Sequence, residues 1–180
     1  PRFLEAMRER ILEGVAKQPP IRQKLFRLGL AQGTAKVKGR PAPLFGLTDK
    51  LVGNKIRERT GGKMRFFVSG GMAMPMHVFE FFSAFGLPIM QGYGLTETCA
   101  GTCFNPPDRN QPDTVGLPIA GMEIRIAADG EILVRGPGVM DGYFNQPEAT
   151  RESIDTDGWF HTGDIGEFRG DYLRITDRKK

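Results

Sequence analysis

The segment 64–98 constrains the fold more than any other part of the chain. Its parts, in chain order, are a buried apolar strand at 64–68, the turn Ser69-Gly70-Gly71, a helix that Pro75 can begin and Gly86 can end, and a second short strand at 87–90. Strand, helix and strand in this order predict a parallel pair joined by a right-handed crossover. The predicted fold class is therefore α/β, built on a parallel βαβ unit.

Helices are predicted on the N-terminal side of this unit. Apolar residues recur at helical spacing over 3–15 and again over 21–28, with Pro19-Pro20 between the two runs. A third helix is expected to begin at Thr48 as its N-cap and to end at Gly61-Gly62. The stretch 32–47 is rich in Gly, Pro and Lys and predicts a loop.

A different architecture is predicted from about residue 109 onward. Asp129-Gly130 and Gly170-Asp171 each lie between two strand-like runs, which is a hairpin signal. We therefore expect two subdomains: residues 1–108 form part of an α/β subdomain with N-terminal helices, and residues 109–180 form a small antiparallel β-barrel-like subdomain.

Composition excludes several classes of protein. The 180 residues include 39% hydrophobic and 26% charged residues, which is typical of a globular domain and not of a disordered chain. No apolar stretch approaches the roughly 20 residues of a membrane span, and two cysteines do not suggest a disulfide scaffold. We expect a cytoplasmic protein, with contact to the inner membrane surface left open; the sequence carries no signal for the oligomeric state.

The net charge of +4 is unevenly distributed along the chain. Residues 1–65 hold 16 Lys and Arg against 5 Asp and Glu, whereas residues 66–180 hold 9 against 16. The basic part is interpreted as the solvated faces of amphipathic helices, because its charges are dispersed and no aromatic residues alternate with them. A basic module that docks on anionic membrane or nucleic acid stays an alternative.

Two loops leave the carboxyl ends of the predicted parallel strands, where ligands bind in open α/β sheets. One is Ser69-Gly70-Gly71 and the other is 91–98. In the second loop, Tyr93 offers a flat ring, Thr96 a hydroxyl for a phosphate oxygen and Glu97 a carboxylate for Mg²⁺. This set indicates a nucleotide site, although a Gly- and Thr-rich turn without a ligand is the simpler reading of composition alone.

The loop 91–98, Gln-Gly-Tyr-Gly-Leu-Thr-Glu-Thr, resembles the signature of the adenylate-forming (AMP-binding) superfamily, which includes acyl-CoA synthetases, luciferases and the adenylation domains of peptide synthetases. Further matches follow the family's order: Ser69-Gly70-Gly71, the turn 116–121, the hairpin 130–136, the segment 142–145, the motif 158–164 and the hinge start 177–180. The resemblance covers residues 64–180, and within the superfamily it is strongest to long-chain acyl-CoA synthetases.

The resemblance implies a role for each matching residue. Thr96 and Glu97 would act in catalysis, Thr96 on the α-phosphate and Glu97 as the Mg²⁺ ligand. Asp164 would accept hydrogen bonds from both ribose hydroxyls, and Arg178 would reach the ribose or the phosphate. The remaining nucleotide-binding residues are Tyr93, which would stack on adenine, Gly94 in the same turn, Gly70 and Gly71 beside the adenine and the acyl entrance, and Gly92, which would line the acyl pocket.

The implied chemistry is the ATP-dependent activation of a fatty acid, first to acyl-AMP and then to acyl-CoA, with ATP, Mg²⁺ and coenzyme A as cofactors and co-substrates. The family's phosphate loop and catalytic lysine lid are not found in residues 1–180. We therefore expect an interior fragment of the large N-terminal region that is inactive alone. Nucleic acid is not an expected partner.

The alternatives are an aryl-CoA ligase, an amino-acid adenylation domain and a stand-alone nucleotide-binding regulator, besides the basic binding module.

Overall fold

Two units divide the chain, Pro1–Ile89 and Met90–Lys180. The computed structural model describes residues 1–72 and 74–179. Helices predominate in the first unit and strands in the second, and together they give the α/β class that the sequence predicts. The predicted subdomains 1–108 and 109–180 stay a prediction about the domain organisation.

The second helix of the first unit extends further than its sequence pattern indicates. The helices of this unit are α1 Arg2–Ala16, α2 Pro20–Val37, α3 Phe45–Thr48, a π-helix Asp49–Gly53, α4 Asn54–Arg59 and α5 Met76–Ala84. The first two predicted helices are confirmed. The loop predicted over 32–47 is wrong at both ends, because α2 continues to Val37 and α3 begins at Phe45. Among the described helices, none has the length and apolar character needed to cross a membrane.

Thr48 does not cap a helix as predicted. Its hydroxyl lies 3.1 Å from the carbonyl oxygens of Leu44 and Phe45, inside a helical segment that begins before it. The segment then widens into the π-helix, whose first residue, Asp49, takes both of its hydrogen bonds from the Arg57 guanidinium at 2.8 and 2.9 Å. Gly53 allows this arrangement, because a Cβ there would lie 2.2 Å from an Asp49 carboxylate oxygen.

An aromatic cluster forms the core of the first unit. Phe81 and Phe82 of α5 meet edge to face with ring centroids 5.3 Å apart, and Phe85 packs against Phe26 of α2 at 5.4 Å. Such pairs add roughly 0.5–1.5 kcal/mol each beyond the burial of apolar area. The phenylalanines of this segment therefore serve the packing of α5 against α2.

The first strand is shorter and more exposed than predicted. It spans β1 Phe67–Ser69, and Val68 is 62% exposed, so the prediction of a buried strand over 64–68 is wrong in both bounds and burial. Its Phe67 N–H donates to the carbonyl oxygen of Pro88 at 2.9 Å. The structure has the strand, helix and strand in the predicted order, and the parallel pairing stays a prediction.

Antiparallel strands build the second unit, as predicted for the part from about residue 109 onward. The polypeptide enters it within β2 Ile89–Tyr93, which pairs with β3 Cys103–Phe104, and β3 pairs with β4 Leu117–Pro118. A second, four-stranded antiparallel sheet has the order β5-β6-β7-β8. The elements of this part are β5 Glu123–Ile126, β6 Glu131–Arg135, the helix α6 Pro147–Ser153, β7 Phe160–Arg169 and β8 Tyr172–Arg178.

Both predicted hairpins are confirmed at their turns. β5 and β6 are joined across Asp129-Gly130, and β7 and β8 across Gly170-Asp171. The second hairpin is longer than predicted, because β7 begins at Phe160 and includes the motif residues up to Asp164. The core of the second unit includes Ile132 and Val134 of β6 and Leu173 of β8, each fully buried.

Candidate functional site

The chain turns sharply after β2, and the turn contains two of the predicted site residues, Thr96 and Glu97. Gln91, Gly92 and Tyr93 belong to the strand and not to the loop predicted there, so the turn proper begins at Gly94. The backbone then forms one turn of 3₁₀-helix over Thr96–Thr98 and returns through left-handed residues at Cys99 and Ala100.

A buried threonine pair holds this turn together. The Thr98 hydroxyl accepts hydrogen bonds from the Leu95 N–H and the Thr102 hydroxyl, each at 2.9 Å. Thr98 and Thr102 are almost fully buried, whereas Thr96 is exposed. Within the described residues, the Thr96 hydroxyl makes no hydrogen bond. Of the two threonines in the motif, Thr98 is therefore structural and Thr96 is the one available to a ligand.

Gly94 is required by the turn itself. A Cβ at this position would lie 2.2 Å from the carbonyl oxygen of Ala100, where the returning chain crosses it. Gly92 is less tightly confined, since its Cβ would meet the Cys103 carbonyl oxygen and the Phe104 ring at 3.3 Å. Both glycines thus have a packing reason of their own, and their roles in binding nucleotide and acyl chain stay predictions.

Glu97 presents a half-buried carboxylate beside Thr96. Its Oε1 accepts a hydrogen bond from the Tyr143 hydroxyl at 2.9 Å, and its carbonyl oxygen accepts one from Met140 N–H at 2.8 Å. Partial burial, with the hydrogen bond to Glu97, raises the pKa of Tyr143, which keeps this phenol a donor. The second carboxylate oxygen of Glu97 has no partner among the described residues, so it can accept from a ligand or bind a cation.

Tyr93 joins the turn to Asp164. The Tyr93 hydroxyl donates to Asp164 Oδ2 at 2.7 Å, although the two residues are 71 positions apart in the sequence. Burial raises the pKa of Tyr93 far above its usual value of 10.0, so the phenol stays protonated and can only donate to the carboxylate. Tyr93 is 7% exposed and belongs to the core, and its stacking on adenine stays a prediction.

Asp164 lies in strand β7, in a place where the strand is irregular. The register between β6 and β7 shifts between Glu131 and Leu133, and side chains replace the missing ladder bonds. The Thr162 hydroxyl donates to the Ile132 carbonyl oxygen at 2.7 Å, and the Gly163 N–H donates to Glu131 Oε1 at 2.9 Å. Bulges of this kind re-aim a neighbouring side chain.

Arg178 lies directly opposite Asp164 in the β7–β8 ladder. Its Nε is 3.7 Å from Asp164 Oδ1, and its side chain is 78% exposed. The pair is therefore a loose ion pair at the surface, and most guanidinium donors face solvent. Arg178 is close enough to act on a ligand held by Asp164.

Gly70 and Gly71 lie in the first unit, after β1. A Cβ on Gly71 would meet no atom within 4 Å, but its φ of +76° favours glycine. Their part in a nucleotide site with the residues of the second unit stays a prediction.

The side chains near Glu97 fit a metal ion that is coordinated mainly by the phosphate groups of a nucleotide. Across residues 1–72 and 74–179, no group of three or more His, Cys, Asp or Glu side chains could hold a metal ion. Glu97 offers one free carboxylate oxygen. Mg²⁺ characteristically takes one or two carboxylates and completes its shell with phosphate oxygens and water. One free carboxylate oxygen therefore suits Mg²⁺ whose other ligands are phosphate oxygens and water.

Two residues of this site were not predicted from the sequence. Tyr143 and Glu131 both fall in segments that match family motifs, but neither side chain was assigned a role. Their partners, Glu97 and Gly163, are distant in the sequence. The signal that could have identified Glu131 is its charge next to an apolar strand, where an unpaired carboxylate would be costly.

Comparison with known proteins identifies the same family that the sequence resembles. Residues 2–144 match the family model described as "AMP-binding enzyme". The long-chain-fatty-acid–CoA ligase 2 of Schizosaccharomyces pombe is 37% identical over 196 aligned residues, covering 100% of this chain and 28% of the relative. The chain thus spans less than a third of the length of that relative.

Solved structures of similar sequence share the fold. A malonyl-CoA ligase in a ternary product complex with methylmalonyl-CoA and AMP has a TM-score of 0.58 and 37% identity, over 64% of this chain and 27% of that one. The o-succinylbenzoate coenzyme A synthetase of Bacillus subtilis, in complex with ATP and a magnesium ion, has a TM-score of 0.58 and 29% identity, over 69% of this chain and 30% of that one.

Proposed function

The chain belongs to the AMP-binding enzyme family, and from this premise we propose that it supplies the AMP site of a ligase that activates a long-chain fatty acid. Its relatives include fatty-acid–CoA ligases and other acyl-CoA ligases. The observation that carries the proposal is the hydrogen bond of 2.7 Å between the Tyr93 hydroxyl and Asp164. It brings the predicted ribose ligand to the strand that leads directly into the turn with Thr96 and Glu97.

Each side chain of the site has a chemical task in this proposal. A carboxylate oxygen has two lone-pair sites, so Asp164 can keep its bond to Tyr93 and still accept from both hydroxyls of a ribose. The unpaired Thr96 hydroxyl can donate to an α-phosphate oxygen. Arg178 can add positive charge near the ribose and the phosphate, since its guanidinium is mostly free in solvent.

The first half-reaction joins two anions. A fatty-acid carboxylate oxygen forms a bond to the α-phosphorus of ATP, and the bond from that phosphorus to pyrophosphate breaks. The residues of this chain hold the adenylate part still and place donors around it, which lowers the entropic and electrostatic barriers. Mg²⁺, when bound with the nucleotide at Glu97, would neutralise phosphate charge.

The second half-reaction exchanges AMP for a thiol. The sulfur of coenzyme A forms a bond to the acyl carbon and loses its proton, and AMP leaves with the electron pair of the broken carbon–oxygen bond. Fatty acid, ATP and coenzyme A are the proposed substrates. The long-chain specificity is supported by the name of the S. pombe relative, which aligns with the whole of this chain.

A titration with an adenylate analogue tests the proposal. We expect the chain to bind a long-chain acyl-sulfamoyl-adenosine, and Asp164→Asn to weaken binding by roughly 10- to 100-fold, the equivalent of about 1.5–3 kcal/mol for hydrogen bonds to a charged group. The Asn side chain retains an acceptor for the Tyr93 hydroxyl, so the fold is preserved. Isothermal titration calorimetry provides the measurement.

The matched control is Asp171→Asn, which changes an exposed aspartate in the turn of the same hairpin and should leave affinity unchanged. Equal affinities of wild type and Asp164→Asn would contradict the ribose role. Analogues with an aryl or an aminoacyl group in place of the fatty chain test the substrate class, and tighter binding of either would refute long-chain specificity.

A further inference from the structure

Glu131 is a buried carboxylate at the start of β6 to which the proposed chemistry gives no task. It is 5% exposed, and among the described residues it and Asp164 are the buried acidic side chains. A buried charge is costly unless it is paired and hydrogen-bonded. The partners of Glu131 therefore indicate what this position does.

Both oxygens of Glu131 are fully engaged. Oε1 accepts the Gly163 N–H at 2.9 Å, while Oε2 is 3.0 Å from His161 Nδ1 and 3.1 Å from Lys179 Nζ. Lys179 also binds Asp129 through the same ammonium at 2.6 Å. One carboxylate thus connects the β5–β6 turn, the irregular part of β7 and the residue that follows β8.

The contact with Gly163 matters most, because Gly163 directly precedes Asp164. Gly163 has a φ of +71°, and its carbonyl oxygen accepts the Lys179 N–H at 2.7 Å. Its N–H binds a side chain in a segment where the β6–β7 register is interrupted. Gly163 is therefore held at both of its polar backbone groups. The Glu131 carboxylate binds its N–H, and the Lys179 N–H binds its carbonyl oxygen, which belongs to the peptide that enters Asp164.

We propose that Glu131 is a positioning residue for Asp164, and that Lys179 acts on Asp164 through it. Glu131 fixes the Gly163 peptide, the Gly163 peptide sets the direction of the Asp164 side chain, and Lys179 supplies the positive charge that holds the Glu131 carboxylate in place. The consequence for ribose binding rests on the proposed function, whereas the coupling between Lys179 and Gly163 does not.

A nucleotide pair separates positioning from simple loss of stability. Wild type should prefer AMP over 2′,3′-dideoxy-AMP, which lacks the ribose hydroxyls that Asp164 would bind. In Glu131→Gln we expect affinity for AMP to fall about tenfold, with affinity for the dideoxy nucleotide changed less than about twofold. Glu131→Asp keeps the charge with a shorter reach and should recover part of the preference. Glu123→Gln, at an exposed glutamate of the neighbouring strand β5, is the matched control.

Equal loss for both nucleotides in Glu131→Gln would show a role in stability only and would overturn the inference. If Glu131→Gln does not fold, Lys179→Met replaces it, because the Lys179 side chain is 47% exposed and its loss should be tolerated. Lys179→Met is then expected to reduce the preference for AMP in the same manner, and an unchanged preference would overturn the inference.

A second readout needs no nucleotide. When Lys179→Met is introduced into the wild-type chain, the Gly163 and Asp164 amide signals in ¹H–¹⁵N NMR spectra should shift. When the same substitution is introduced into the Glu131→Gln variant, these signals should stay nearly unchanged. The same shift in both backgrounds would refute the coupling. Wild type that shows no preference for AMP, together with intact NMR coupling, would instead count against the proposed ribose role and leave the positioning contact standing.

Discussion

At the scale of single residues, Tyr93 and Asp164 depend on each other. Tyr93 is part of the core with Cys103 and Leu173, and its buried hydroxyl needs an acceptor. Asp164 provides that acceptor and is in turn held by the hydroxyl of a buried ring. The proposed ribose ligand is therefore oriented by the core and not by a surface loop, which favours a preformed site.

Glu131 should make the stability of the chain depend on pH. Burial alone would raise the pKa of Glu131, but the hydrogen bonds from His161, Lys179 and the Gly163 N–H outweigh it and lower the pKa below its usual 4.5. Folding therefore favours the ionised form. The resulting stability is complete above the usual pKa and is lost as the pH falls through the lowered value of the folded protein.

Urea denaturation of wild type and Glu131→Gln between about pH 7 and pH 3 checks this prediction. Near pH 7 the variant should be less stable by about 1–3 kcal/mol, since hydrogen bonds to a buried charge are lost. The difference should shrink as the pH falls. Asp129 shares Lys179 with Glu131, so Asp129→Asn is the control that shows how much of the slope belongs to that neighbour. A gap that stays constant down to pH 3 would contradict the assignment.

At the scale of elements, local signals predict well and packing signals do not. Both hairpins were predictable because Asp-Gly and Gly-Asp turns favour the backbone twist that joins two strands. The end of α2 was not, because Gly33 reads as a helix breaker by propensity. In the structure Gly33 is required by close packing, since its Cα approaches the Ala84 carbonyl of α5.

The candidate site also contains residues that the sequence predicts and residues that it does not. Its turn and Asp164 were predicted because motif likeness marks them, and the structure brings Tyr93 and Asp164 together. The contacts of Tyr143 and Glu131 could not be predicted, because each joins residues 30 or more positions apart, and that of Glu131 depends also on a shift in the β6–β7 register. A single sequence does not reveal where a bulge will fall.

The contact between α2 and α5 gives a test at this scale. A Cβ at Gly33 would lie 2.0 Å from the Ala84 carbonyl oxygen, so Gly33→Ala must push the two helices apart. We expect it to lower the free energy of unfolding by about 1–3 kcal/mol, the usual effect of overpacking. The control is Gly46→Ala, at an exposed helical glycine whose Cβ would meet no atom within 4 Å.

Gly46→Ala should be neutral or stabilise by a few tenths to about 1 kcal/mol, because Ala has the higher helix propensity and loses less entropy on folding. Chemical denaturation of the two variants measures both effects. Similar stabilities for Gly33→Ala and Gly46→Ala would show that the close approach of α2 and α5 is absent in solution.

At the scale of the whole molecule, the excess of basic residues and the candidate site residues lie in different parts of the chain. Residues 1–65 carry 16 basic and 5 acidic residues and fall in the first unit. Thr96, Glu97, Asp164 and Arg178 lie in the second unit, where most of the acidic residues are found. The proposed adenylate site and the basic helices can therefore be tested separately within one chain.

Hydrogen–deuterium exchange can distinguish the ligase proposal from the basic binding module in one set of experiments. A long-chain acyl-sulfamoyl-adenosine should protect peptides covering 94–98 and 160–166, because a bound ligand suppresses local opening where it makes contact.

Vesicles with anionic lipid, or an oligonucleotide, should leave α1 and α2 unprotected at physiological salt, since dispersed surface charges are screened beyond about 8 Å. Protection of α1 and α2 by either polyanion, reversed by added salt and not accompanied by any effect of the adenylate analogue, would support the basic binding module and contradict the ligase proposal. Protection at 94–98 and 160–166 alone, reduced by Asp164→Asn at the same ligand concentration, is the outcome that the contact between Tyr93 and Asp164 predicts.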